Sequence, residues 1–242
     1  MMPTLIIFVE GHRSSELYLE ECIQSCKKYK GYDPIPFCGV TTITLDKWLE
    51  IYPEFNNDMP GSRLLDFKSQ STELYRTKKS CLINQARALD YCIDINTPII
   101  VIEHDARAVR SWDYPDLSDT EFAILNIKSS YEMHENFIRT NFYRKLNVNK
   151  KSELLPYNSD LIYKREGTSL YGASLPVGLG AYVVTPKGAK KLLDNMKNLG
   201  AEQGDHIINN KNVDMKYFNP EYFTMSRNLR LSHGIQNSGG MK

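Results

Sequence analysis

The sequence predicts an α/β fold: a mostly parallel central sheet flanked by helices, with long irregular loops, in one domain spanning residues 1–242. Three observations predict it. Short apolar runs rich in β-branched residues, "TLIIFVE", "PIPFCGVT" and "PIIVIE", alternate with segments whose apolar residues recur every three or four positions. Strand, helix, strand in that order implies parallel neighbours joined by a right-handed crossover. The chain has 242 residues, 41% of them hydrophobic, enough to bury one sizeable core.

The first strand is "TLIIFVE". Ser14 or Ser15 is placed to cap the following helix, with Glu16 near its positive end. Leu19, Cys22, Ile23 and Cys26 form its apolar stripe, and Lys30-Gly31 closes it. "PIPFCGVT" is the second strand. Residues 44 to 78, with Pro53, Pro60-Gly61 and many polar side chains, read as a loop-rich excursion. Leu82, Ala86, Leu89 and Ile93 mark another amphipathic helix, feeding the strand Ile99 to Ile102. "FAILNI" (122–127) is a further strand, and from Ser129 to Gly172 the pattern dissolves into polar, basic and aromatic residues. Order returns with "GLGAYVVTPKGAKKLLDNM", a strand followed by a helix with Thr185 as N-cap and Pro186 at its first position. Ala189, Leu192, Leu193 and Met196 form that helix's buried face.

Charge and cysteine content exclude several classes. Lys and Arg total 30 against 29 Asp and Glu, so any nucleic-acid surface has to be a local patch. The five cysteines, Cys22, Cys26, Cys38, Cys81 and Cys92, lack Cys-x-x-Cys spacing and fit reduced thiols in a cytoplasm-like compartment. The expectation is therefore a cytoplasmic protein without a signal peptide or membrane span.

The strand "IIVI" stops abruptly at Glu103-His104-Asp105. In open α/β sheets ligands bind outside the carboxyl ends of the strands. While the chain stays extended, residues i and i+2 share a face, so both carboxylates can address one point. Converging carboxylates repel unless a cation joins them, and Mg²⁺ or Mn²⁺ suits oxygen ligands. The competing reading is a solvated strand end, since acid-x-acid triplets are common there.

"CLINQARALDYCIDINTPIIVIEHDA", followed much later by "GLGAYVVTPKGAKKLL", resembles glycosyltransferase family 25, the lipooligosaccharide and collagen-sugar transferases. Cys81 and Leu82 keep the family's helix start, while Asn84 and Gln85 stand where Ser and His are usual. Glu103 and Asp105 keep the outer acids of its triplet, with His104 replacing the middle Asp. Gly178, Tyr182, Gly188, Ala189 and Leu192 match the later block, and Asp205 is the candidate for the acid beyond it. The resemblance covers roughly residues 79–127 and 176–220. It implies a GT-A-like fold transferring a sugar from a nucleotide sugar, a UDP-sugar foremost, with Mn²⁺ or Mg²⁺. Residues 1–128 would hold the donor and 129–242 the acceptor.

On that reading the donor-binding set is Glu10, Gly11, His12, Arg13, Gln85, Glu103 and Gly180; "VEGHRSSE" is a strand-to-helix turn suited to a diphosphate or a uracil-ribose unit. The metal set is Glu103, Asp105 and His233, since a neutral imidazole suits Mn²⁺. Asp205 is the candidate general base, with His206 in reserve. Read without the family, Asp205 is an N-cap of the helix at "HIINN" and His233 a surface residue near the terminus. Residues 134–168 interleave basic side chains with aromatics, and Tyr143, Arg144 and Lys145 are the acceptor candidates. The acceptor would be a hydroxymethylated DNA base, as in phage-type enzymes that glycosylate DNA, or a cell-surface glycan; the bland reading folds those aromatics against the core. The competing class is a non-catalytic, degenerate transferase serving as a carbohydrate- or nucleotide-binding module.

Overall fold

The computed structural model describes residues 1–113, 116–132, 143–144, 146, 152–157, 164–165, 173–176 and 178–225. Its centre is a seven-stranded mixed sheet in the order β2-β1-β3-β9-β5-β10-β6. The strands are β1 (Met2–Phe8), β2 (Tyr32–Cys38), β3 (Ile99–Glu103), β5 (Phe122–Ile124), β6 (Glu153–Pro156), β9 (Ala181–Val184) and β10 (Met215–Asn219). Five run in one direction; β9 and β6 oppose them. Two small ribbons lie outside it, β4 (Ala106–Ala108) with β11 (Phe223–Met225), and β7 (Lys164–Arg165) with β8 (Ala173–Ser174). The expected α/β architecture is thus present. β9, which follows both in sequence, is inserted between β3 and β5.

Period-two alternation in the strands sends side chains to two cores. Leu5, Ile99, Val101, Ile124, Tyr182 and Val184 face one side and meet α4 (Thr72–Asp94) and α6 (Pro186–Leu199) through Leu82, Leu89, Leu192 and Met196. Ile6, Ile100, Ile102, Ala123 and Val183 face the other and meet Cys22 and Cys26 of α1 (Arg13–Lys28), with Phe223 of β11. Each fully buried aliphatic side chain contributes about 1.5–3 kcal/mol, so these strands are fixed by burial on both faces. Among the described residues no helix is long and apolar enough to cross a membrane.

α6 starts as expected: Thr185 accepts the Gly188 amide at 3.3 Å and Pro186 opens the helix. Two expectations fail. Neither Ser14 nor Ser15 caps α1, whose N-cap is His12. Ser15 instead accepts the Val9 amide at 2.8 Å and Glu16 the Gly11 amide at 2.9 Å, so both hold the preceding turn. Nor are residues 44–78 a loop. They contain α2 (Leu45–Ile51), a 3-10 turn (Pro53–Asn56), α3 (Arg63–Gln70) and the first turns of α4. Ser62 and Ser71 cap α3 and α4 by accepting from Leu64 and Leu74, and the short helices are anchored by buried Leu45, Phe55 and Leu64. Between Ser129 and Gly172, where no element was expected, the chain forms the end of α5 (Ile127–Glu132), then β6 and β7.

Candidate active site

β1, β2 and β3 are parallel and in register, so Phe8, Cys38 and Glu103 end at one edge of the sheet. α1 leaves β1 toward one face, whereas α4 enters β3 from the other. The loops part at that point, and a crevice at such a switch is where open α/β sheets bind ligands. A cleft of about 690 Å³ opens there. Its walls are residues 7–12, the loop 38–44, one face of α4 and the segment Glu103–Asp105, with Met225 closing one side.

Gly11, at φ +75°, makes the turn from β1 into α1. The opposite lip is pinned by α4: Asn84 Oδ1 accepts the Val40 amide at 2.6 Å, and Arg87 donates to the Cys38 carbonyl at 2.8 Å. Arg87 is itself held between Trp48 and Phe37, its guanidinium 4.1 and 4.6 Å from the two ring centres.

β3 ends at Glu103, and His104-Asp105 form a turn into β4. The two carboxylates therefore do not lie on one extended face, yet both line the cleft. Glu103 is accessible from the cleft while Asp105 is buried. Dense protein around Glu103, then the charge of Asp105, pushes its pKa up to about 8; Lys78 opposes the rise and Asp205 adds to it. His104 donates its backbone amide to the Ile7 carbonyl, and its Nδ1 lies 3.3 Å from the same oxygen. Burial lowers its pKa, with Asp105 acting the other way, which favours the neutral ring.

Glu10, Gly11, His12 and Glu103 of the expected donor set line the cleft. Arg13 is exposed and outside the lining. Gln85 is a buried residue of α4 outside the lining, and it accepts from the Tyr182 hydroxyl. Gly180 stands behind the wall, its carbonyl accepting the Glu103 amide. A Cβ there would sit 2.3 Å from Met225 Sδ, so a larger residue would oblige the Met225 side chain to move. His206 is buried in the short helix α7 (Gly204–Ile207). Asp205 is not the N-cap of that helix, which is Gln203. It lies close enough to Glu103 and Cys81 for its charge to act on both, and its Oδ1 is buried without a hydrogen-bond partner among the described residues. Tyr143 packs against the core, its ring stacked on Tyr131 at 6.5 Å and its hydroxyl on Glu132 at 3.2 Å, whereas Arg144 is exposed. Lys145 and His233 lie outside the described residues.

The sequence reading missed the loop 39–44 and the face Glu73, Thr77, Ser80, Cys81 and Asn84 of α4. A signal existed: a parallel β1–β2 pair obliges the loop after β2 to border the same crevice as the loop after β1.

No family model matches the chain, and no curated protein matches it. Among solved structures it is similar to the galactosyltransferase LgtC in complex with donor and acceptor sugar analogues, at TM-score 0.40 and 11% identity over 89% of this chain and 73% of that one. It is also similar to mouse xyloside xylosyltransferase 1 (TM-score 0.38, 8% identity, 85% and 79% of the two chains). A third likeness is to the bifunctional glycosyltransferase WbbM (TM-score 0.42, 11% identity, 89% of this chain and 38% of that one). These scores are low, so function has to be argued from the site's own chemistry.

Proposed function

We propose that the protein is a glycosyltransferase of GT-A-like architecture that moves a sugar from a nucleoside-diphosphate donor, in the first instance a UDP-sugar, to a hydroxyl acceptor. One observation carries this reading. The cleft at the strand ends is lined by Glu10, Glu73, Glu103 and Asp105 and, among the described residues, by no Lys or Arg. A diphosphate entering it unaided meets four carboxylates against the reach of one lysine, Lys78, which favours a cation accompanying it.

Glu103 and Asp105 are the residues to hold that cation. Among the described residues no group of three or more His, Cys, Asp or Glu is arranged for a metal. A pair fits nevertheless, because Mg²⁺ is usually bound by one or two carboxylates together with substrate phosphates and water. When bound, such an ion offsets the charge of the departing diphosphate. The amides of the turn at Gly11 are taken up by Ser15 and Glu16, so on that wall the first turn of α1 is what is left to offer backbone N–H groups to an anion. Asp205, whose charge reaches Glu103, is the candidate to take the acceptor's hydroxyl proton.

A glycan acceptor is favoured over a DNA base, because the Tyr143 ring that would stack on a base is already stacked on Tyr131. The rival reading, a binding module without turnover, has His104 in the acidic triplet on its side. Calorimetry of UDP binding with and without Mn²⁺, on the wild type and on Asp105→Asn, tests the proposal. Binding that needs Mn²⁺ and is lost in the variant is expected. UDP binding that ignores both the metal and the substitution overturns the cation assignment. Donor binding without hydrolysis or transfer of the sugar selects the module.

A further inference from the structure

We propose that the α4 side of the cleft, built on Glu73, Thr77 and Ser80, is a receptor for vicinal hydroxyl groups of a sugar ring. The inference rests on the nucleotide-sugar reading of the same cleft and deepens it. Glu73, Thr77, Ser80, Cys81 and Asn84 fall at i, i+4, i+7, i+8 and i+11, one stripe of the helix. On an ordinary amphipathic helix this polar stripe would face bulk water. Here the loop 41–44 stands over it and makes it a wall of the cleft. That loop is fixed from α4 by Arg76, which donates to the Thr42 carbonyl at 2.7 Å and grips Asp46 with two bonds of 2.9 Å.

The hydrogen-bonding character of this wall selects its ligand. Thr77 and Ser80 donate their hydroxyl protons to the carbonyls of Glu73 and Arg76, each at 2.9 Å. Thr44, across the cleft, is turned to Thr41, whose amide its hydroxyl accepts at 3.0 Å. What Thr77 and Ser80 keep for a ligand is lone pairs. The Glu73 carboxylate adds an acceptor with two oxygens, and no ion pair engages it among the described residues: Arg76 is committed to Asp46, and Lys79 to Asp58. An acceptor-rich wall of this kind repels phosphate and suits a neutral ligand that brings several O–H donors. Two neighbouring sugar hydroxyls match the two oxygens of one carboxylate, and bonds to an ionised acceptor are the stronger kind. The diphosphate is thereby left to the Glu103–Asp105 end.

The diol has two sources, the ribose of the nucleotide and the transferred sugar. Titrations of UDP, 2′-deoxy-UDP and UDP-glucose in Mn²⁺, on the wild type, Glu73→Gln and Thr77→Val, separate them. Glu73→Gln is expected to weaken the diol-bearing ligand roughly tenfold or more. If the ribose is held, the wild type discriminates against 2′-deoxy-UDP and Glu73→Gln abolishes that discrimination. If the transferred sugar is held, UDP affinity is unchanged by Glu73→Gln while UDP-glucose affinity drops. Both ligands binding unchanged to both variants, with Mn²⁺-dependent UDP binding intact in the wild type, overturns this receptor and leaves the proposed function standing. No binding of UDP or UDP-glucose to the wild type overturns both.

Discussion

Asn84 Oδ1 accepts the amide proton of Val40 at 2.6 Å, across the gap between α4 and the lip of the cleft. Both residues are buried, so neither group has water to fall back on. The same asparagine places its amide nitrogen 3.5 Å from the Val40 carbonyl, and Arg87 stands beside it on the Cys38 carbonyl. A side chain thus occupies the place that a neighbouring strand would take, and it sets the height of the lip over the cleft.

Asn84→Ala is therefore expected to cost about 1–3 kcal/mol of stability, the penalty for an orphaned buried amide. It should also weaken nucleotide binding, because the lip loses its tie. Urea unfolding together with UDP titration in Mn²⁺ checks both. A variant that loses stability but binds as the wild type does would show that Arg87 and Arg76 suffice to hold the lip.

A second prediction concerns pH. Glu121 precedes β5 and collects Lys187 at 3.1 Å, Lys191 at 2.9 Å and the Asp214 amide at 2.9 Å. Burial alone would raise its pKa, but the Asp214 amide and the two lysines outweigh it and bring the carboxyl down to about 2. A depressed folded-state value means that the carboxylate's stabilisation is complete above the unfolded value of 4.5 and is lost as pH falls toward 2. Both lysines are largely in water, so screening leaves roughly 1–2 kcal/mol of the nominal shift. Glu121→Gln should be less stable than the wild type by that amount at pH 7, and the gap should close between about pH 5 and pH 2. A gap independent of pH would assign the loss to the amide contact instead.

The interior strands were legible because burial on both faces leaves short unbroken apolar runs, as at Ile99 to Ile102. The Thr185-Pro186 start of α6 was legible because a cap is a local device. So was the placing of Glu103 and Asp105 at a strand end that borders the cleft. The first half of α4 was not, because it turns Glu73, Thr77 and Ser80 to the cleft, and a helix with a polar wall on one side loses its apolar period. Strand direction was equally hidden: nothing in the pattern of "AYVV" says that β9 runs against β3 and β5. Gly188 is a different case. The sequence marks it only as part of a resemblance, while the structure supplies the reason: a Cβ there would lie 2.0 Å from the Glu121 carbonyl oxygen. Close approach between elements distant in sequence leaves no periodic trace.

The third prediction separates chemistry from folding at Asp205. Were this residue an N-cap, its replacement would cost about 1 kcal/mol of stability. The structure gives the cap position to Gln203 and leaves Asp205 Oδ1 buried without a hydrogen-bond partner among the described residues. Asp205 is half-buried and makes no side-chain hydrogen bond among the described residues, so an amide of the same shape removes no such contact from the fold. Asp205→Asn is thus expected to be as stable as the wild type. Donor affinity should change little, since Asp205 does not line the cleft. Turnover should fall by roughly 10²–10⁴-fold if the carboxylate takes the acceptor's proton. Thermal unfolding, UDP titration and a transfer assay on one preparation read the three quantities separately. Full activity in a stable Asp205→Asn protein would remove it as the base and return the search to groups nearer the cleft. A loss of stability matching the loss of activity would mean that α7 needs the charge for its packing.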